Sequence, residues 1–396
     1  MGYEQCSCED VNVLHTFSTI VANRFEIGHQ HRQVWLDHDA RFRDNKDAKS
    51  IQLDNLPFTG SKKQYQIISR TCIRSPDANG VWNFDPHAVK QECFSFFKNK
   101  FIEPCKNRPI LKNDKFLKLD DSDRIALELP FSVEEITFAV WNCVNKKAPG
   151  PDGFNFGFIK RFWNIIGRDF VEVVEFFGLH KTIKGGCNSS YVSLVPKINN
   201  PTCLSDYRPI NLIGCITKVI SKTLAERLKT VIGKVISKEH TTYVRGRNIT
   251  DGPLIVNKLL TWAKTTNMKM MLFKIDFEKA FDSLHWGFLE NTMEQMGFGS
   301  IWRRWIKGIV TTAKASILVN GAPTIEFNLE RGIRQGDPLS PFLFIIATEG
   351  LRVMMSEPVE KGHYKGIKLP GENCTVSIFQ YTDDAIFLGK WCNVEP

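Results

Sequence analysis

The chain has 396 residues, of which 42% are hydrophobic and 24% charged, and its formal net charge is +9. That balance excludes a wholly disordered chain and allows two or three units with cores of their own. No run reaches the ~18–20 uninterrupted apolar residues of a membrane-spanning helix, and MGYEQCSCED lacks the basic and apolar regions of a secretory signal.

Residues 1–130 are the least patterned part and are expected to be an N-terminal extension or linker, partly helical. RSPDANGVWNFD carries turn signals at Asp77 and Asn79-Gly80. From Pro86 to Phe101, the residues Val89, Cys93, Phe96, Phe97 and Phe101 recur at the spacing of an amphipathic helix. Asn107 to Asp123 reads as a loop of mixed charge. Ser132 and Glu135 are spaced as a capping box, so a helix starts there and ends at the stiff loop NKKAPGPDG. FGFIKRFWNIIGRDFVEVVEFFGL continues as one long helical pattern, and SYVSLVPK alternates as a strand.

TKVISKTLAERLKTVIGKVI predicts a helix with Ile220, Leu224 and Leu228 on one face. Lys218, Lys222, Arg227 and Lys229 fall mostly off it. MKMMLFKIDF predicts a buried strand that ends in an acidic residue. LHWGFLENTMEQM and IWRRWIKGIV predict helices, and ASILVNGAPTIEFNL predicts a hairpin around Asn320-Gly321. QGDPLSPFLFIIATEGLRVMM predicts a buried helix entered at Pro338 or Pro341, and VSIFQYTDDAIFLG a second hairpin.

The eleven cysteines include no CxxC pair and no zinc spacing with His, so reduced thiols in an intracellular protein are expected. The positive charge is concentrated between Lys181 and Leu260, with thirteen Lys and Arg against four Asp and Glu. A basic surface of that kind favours a polyanion, nucleic acid first, over a merely solvated face.

Asp383 and Asp384 stand side by side at the tip of the last hairpin. At about 5 Å and an effective dielectric near 20, two carboxylates repel by roughly 3 kcal/mol. A bare Asp-Asp pair is usually an exposed turn, but Val376, Ile378, Phe379 and Tyr381 precede this one and Ala385, Ile386, Phe387 and Leu388 follow it. Asp276 likewise ends an apolar strand. Should the two strands be neighbours, three carboxylates converge, a donor set for hard divalent cations such as Mg²⁺.

KIDFEKAFD, RQGDPLSPFLF and FQYTDDAIFLG, in this order, resemble motifs A, B and C of a reverse transcriptase. KKAPGPDGF and LVPK…DYRPINL resemble the upstream finger motifs of the same enzymes. The combination is similar to LINE-type, non-LTR retrotransposon reverse transcriptases, plant ones in particular, from about Phe131 onward. The resemblance implies an α+β right-hand polymerase with fingers at 131–268 and a partial palm at 269–396. That palm would be an antiparallel sheet with helices on one face. It also implies RNA-directed DNA synthesis with two Mg²⁺ (or Mn²⁺), on RNA template, DNA primer and dNTP, without a membrane and in the nucleus.

By the same resemblance, Asp276, Asp383 and Asp384 are the catalytic metal ligands, and Phe277 offers its backbone carbonyl. Arg208 and Lys197 neutralise the triphosphate, and Gln335 and Gly336 line the nucleotide pocket. Phe281 either excludes a ribose 2′-hydroxyl or packs in the core. Arg208 has a surface ion pair with Asp206 as its alternative. Arg245 and Arg247 touch the template backbone, while Glu278 and Asp282 read as a helix-start surface. Motif C departs from the family at Thr382, which sits in a spot crowded by the primer end. Only 12 residues follow Asp384, so a truncated enzyme without thumb, endonuclease or Cys/His knuckle is expected. Its alternatives are a non-catalytic nucleic-acid-binding remnant and a decayed pseudogene product.

Overall fold

The computed structural model describes residues 75–76, 82–83, 85–105, 108–277, 279–368, 375–381 and 384–391. Thr382, Asp383, Glu278 and the turn expected at Asp77–Gly80 lie outside them. β1 (Ser75–Pro76) and β2 (Trp82–Asn83) pair antiparallel.

The first helix, α1 (Pro86–Phe101), covers the segment its periodicity predicts. Asp85 caps it, accepting from His87 N at 3.3 Å and Ala88 N at 3.1 Å, and Pro86 occupies a first-turn position where no N–H is needed. α2 (Asp121–Leu127) begins inside the end of the expected loop. α3 (Val133–Trp141) starts with the capping box: Ser132 Oγ accepts from Glu135 N, and Glu135 Oε2 accepts from Ser132 N, both at 3.2 Å. The next pattern is two helices, α4 (Phe156–Arg161) and α5 (Trp163–His180), because Phe162 leaves helical dihedrals at φ −102°, ψ 15°.

β3 (Ser189–Pro196) and β4 (Tyr207–Ile213) form an antiparallel pair, followed by α6 (Cys215–Val235), α7 (Asp251–Thr265) and β5 (Met270–Asp276). Next come α8 (Trp286–Gln295), α9 (Ser300–Thr311), β6 (Lys314–Val319), β7 (Ala322–Pro323) and β8 (Phe327–Asn328). The described chain closes with α10 (Ser340–Glu360), β9 (Ile367–Lys368), β10 (Thr375–Val376), β11 (Ile378–Gln380) and β12 (Asp384–Lys390).

One sheet has the order β4-β3-β6-β7, with β8 also on β6. Its β3–β6 pair is parallel, so this sheet joins strands from both the 131–268 and the 269–396 segments. The β6–β7 hairpin turns at Asn320 (φ 49°) and Gly321 (φ 87°), the two positive angles a tight primed turn requires. α1 lays Val89, Cys93, Phe97 and Phe101 over this sheet, against Val192, Tyr207, Ile317 and Phe327. The largest core gathers the inner faces of α3, α5, α6, α8, α9 and α10.

A second sheet, β11-β12-β5, holds the acidic positions. Helices cover both of its faces, in place of the one expected, because each face of the hairpin is apolar. Ala385 and Phe387 meet Leu351 and Met355 of α10, whereas Phe379 and Leu388 meet Val256 and Leu259 of α7. β5 is not the buried strand its composition predicts. Among the described residues it pairs with β12 alone and leaves Leu272 and Phe273 exposed.

A second correction concerns Arg227, which lies inside. Its guanidinium pairs with Glu135 (Nε–Oε1 2.8 Å, Nη2–Oε2 2.7 Å) and donates to the carbonyls of Leu127, Leu129 and Pro130. The Phe131 ring lies 4.8 Å beneath it. Its planar fork and long stem allow a charge to sit among apolar neighbours once every donor has an acceptor.

Candidate active site

The carboxylates meet through strand register. β12 pairs antiparallel with β5 so that Asp384 is directly opposite Asp276. Tyr381 N donates to Asp384 O at 2.8 Å, joining the end of β11 to the start of β12. Residues opposite each other on a ladder share a face, so two like charges face each other across one rung. Lys274 offsets part of that repulsion, its Nζ lying 2.9 Å from Asp384 Oδ2. Tyr381, whose ring lies over Gly252 at the start of α7, has its hydroxyl pushed up to about 12 by burial and then by Asp384.

Two hard oxygen donors facing across one rung fit part of a site for a hard divalent cation. Asp383, the third expected ligand, lies outside the described residues. Among the described residues no group of three His, Cys, Asp and Glu could hold a metal ion. The Phe277 carbonyl accepts from Ala280 N at 3.2 Å, and its ring sits edge-on to Phe344 of α10. Phe281 stacks on the same Phe344, centroids 5.0 Å apart and planes 16° apart, while its carbonyl accepts from Ile333 N at 2.7 Å. Motif A is thereby fastened to the motif B helix and to the run before Gln335.

The Gln335 carbonyl accepts from Asn211 N of β4 at 2.8 Å, and Gly336 has φ +101° beside Asn211 O. A side chain at 336 would be strained in that backbone conformation. Arg208 is exposed on the same β4, three positions before Asn211. Among the described residues it makes no ion pair with Asp206, whose carboxylate accepts instead from Thr202 N and Cys203 N at 2.8 and 3.1 Å. Lys197 is exposed on the β3–β4 connection, with Nζ donating to Ser205 O at 2.9 Å.

Arg245 is exposed, but Arg247 is turned inward and donates to the carbonyls of Ile236, Ser237 and His240. Its guanidinium thus holds the loop after α6. Asp282 corrects the surface expected for it: it is 2% exposed, paired with Lys100 and bonded to Gln335. Sequence reasoning assigned Lys100 no role, and no local spacing joins it to Asp282. Asp152, in the APGPDG loop, is half-buried and accepts from Cys215 N at the start of α6. Burial pushes its carboxyl up.

His240 supports motif C from behind. It bridges Gln380 in parallel, and its Nε2 lies 3.0 Å from Thr348 Oγ1. Burial, then the Arg247 charge, lowers its pKa from 6.5 to about 3. The folded value lies below the unfolded one, so the contribution of neutral His240 is complete above pH 6.5 and lost as pH falls toward 3. The urea midpoint should therefore fall on acidification through that window, and His240→Gln should flatten the slope. An unchanged slope in the variant would contradict this.

A hairpin carrying Asp384 beside a strand ending in Asp276, joined through motif B to a second sheet, is the arrangement of a polymerase palm. Residues 195–391 match the family described as reverse transcriptase (RNA-dependent DNA polymerase). The chain is 27% identical over 335 residues to the transposon TX1 uncharacterized 149 kDa protein of Xenopus laevis, covering 84% of this chain and 24% of that protein. It is 25% identical over 263 residues to a retrovirus-related Pol polyprotein from the type-1 retrotransposable element R2 of Popillia japonica, covering 65% and 35%. It is also 24% identical over 304 residues to a probable RNA-directed DNA polymerase from transposon X-element of Drosophila melanogaster, covering 72% and 32%. The matched segment is thus similar to a reverse transcriptase domain, and the relatives named are proteins of non-LTR retrotransposons. It spans about a quarter to a third of the length of these relatives.

Proposed function

We propose that this chain catalyses RNA-templated DNA synthesis: a primer 3′-hydroxyl attacks the α-phosphorus of a dNTP, and pyrophosphate leaves. The observation that carries the reading is Asp276 opposite Asp384 on one ladder rung. Asp276, Asp383, Asp384 and the Phe277 carbonyl would hold two Mg²⁺, which when bound supply Lewis acidity to the attacking and leaving oxygens. Arg208 presents its fork to the triphosphate, with Lys197 as a second, point-like charge. Gln335 and Gly336 line the nucleotide pocket against β4, and Phe281, braced on Phe344, stands where a ribose 2′-hydroxyl is excluded. Arg245 is the template contact that remains exposed. In this reading 131–268 supplies fingers and 269–396 palm, and the enzyme acts in the nucleus.

Primer extension on poly(rA)·oligo(dT) with Mg²⁺ tests the reading. Incorporation by the wild type that disappears in Asp383→Ala supports it. Salt-dependent RNA binding without any synthesis would favour a binding role instead.

A further inference from the structure

Lys100 lies in the last turn of α1, in the segment that the polymerase motifs leave without a role. Its Nζ is 2.8 Å from Asp282 Oδ2, and the two side chains are 12% and 3% exposed. The other carboxylate oxygen, Oδ1, accepts from Gln335 Nε2 at 3.1 Å. One buried carboxylate therefore bridges a lysine of the N-terminal helix and the glutamine of motif B. The same helix end is latched to the run that leads into Gln335. Arg331 donates from Nε and Nη2 to Lys100 O at 3.1 and 2.9 Å, and Glu330 N donates to Phe101 O at 3.0 Å.

We infer that Lys100 is a positioning residue for the nucleotide pocket, acting through Asp282 to set which end of the Gln335 amide faces the dNTP. This rests on the reading of Gln335 as nucleotide-binding. A carboxylate paired with an ammonium only accepts hydrogen bonds, so the amide nitrogen of Gln335 must face Asp282. Gln335 Oε1 is then directed away from Asp282, and the charged acceptor makes the bond stronger than a neutral one. Without Lys100 the carboxylate loses the ion pair that fixes its oxygens, so the acceptor that holds the Gln335 amide can turn and the amide with it. The ammonium thus fixes an amide orientation through a group that does not itself contact nucleotide.

Two readouts test this in the full-length chain. Single-nucleotide incorporation of dTTP on poly(rA)·oligo(dT) separates KM from kcat. The side-chain amide signal of Gln335, in protein labelled with ¹⁵N-glutamine and assigned through Gln335→Asn, reports its environment without nucleic acid. Lys100→Met should raise KM for dTTP ~10-fold with kcat changed less than ~2-fold, and should shift the Gln335 signal. Lys100→Arg should restore both. An unmoved signal and an unchanged KM in Lys100→Met would overturn the inference, as would a loss of activity and thermal stability with the Gln335 signal in place. If the wild type incorporates nothing, the polymerase reading fails, and the Gln335 signal alone decides whether Lys100 positions the amide.

Discussion

Asp276→Asn is expected to reduce RNA-templated dTTP incorporation ~10³-fold or more, because metal-centred charge stabilisation contributes several kcal/mol and each 1.36 kcal/mol is tenfold in rate. The same change should leave the fold at least as stable. In the native ladder Asp276 faces Asp384 directly, and like charges directly opposite are destabilising. Lys274 reaches Asp384 and offsets only part of that repulsion. A neutral amide at 276 removes it. Opposite movements of activity and melting temperature are what a site kept for function predicts, and incorporation that survives Asp276→Asn would sink the assignment.

Arg227→Met is expected to cost about 2–3 kcal/mol of stability, the range for leaving buried hydrogen-bond partners unsatisfied, because Glu135 is itself partly exposed and can turn to water. The loss has two sources in the geometry. Glu135 keeps only its capping bond to Ser132 N, and the carbonyls of Leu127, Leu129 and Pro130 lose their shared donor. Arg227→Lys should recover little, since a single ammonium cannot reproduce a fork that serves five acceptor atoms. Urea denaturation measures both variants, and a loss below ~1 kcal/mol for Arg227→Met would place this arginine among ordinary surface ion pairs.

Local chemistry accounts for what the sequence showed in advance. Ser132 and Glu135 form their capping box, Pro86–Phe101 is one helix, and Asn320-Gly321 turns its hairpin, since each depends on residues within a few positions. The neighbouring of the Asp276 strand and the Asp384 hairpin was expected only conditionally, from apolar flanks, and the register meets that condition. Long-range features had no such signal. The parallel pairing of β3 with β6 spans over 100 residues of intervening chain, and Lys100 reaches Asp282 across a still longer gap. Helical periodicity put Arg227 mostly off the apolar face, because a period ranks faces by hydrophobicity and is blind to three carbonyls converging on one guanidinium. β5 misled for a related reason. Its apolar run reads as buried, but an edge strand can expose Leu272 and Phe273 while still pairing along its whole length.

In the proposed mechanism Asp276 and the motif C aspartates share one divalent metal site. Iron(II) substituted into such a site produces hydroxyl radicals that cut the backbone nearby. Incubating the protein with Fe²⁺, ascorbate and peroxide should yield cuts near 276 and near 383–384 in the same sample. Excess Mg²⁺ should suppress both, and Asp276→Asn should abolish both. Cuts at one position without the other, or cleavage indifferent to Mg²⁺, would contradict a shared site.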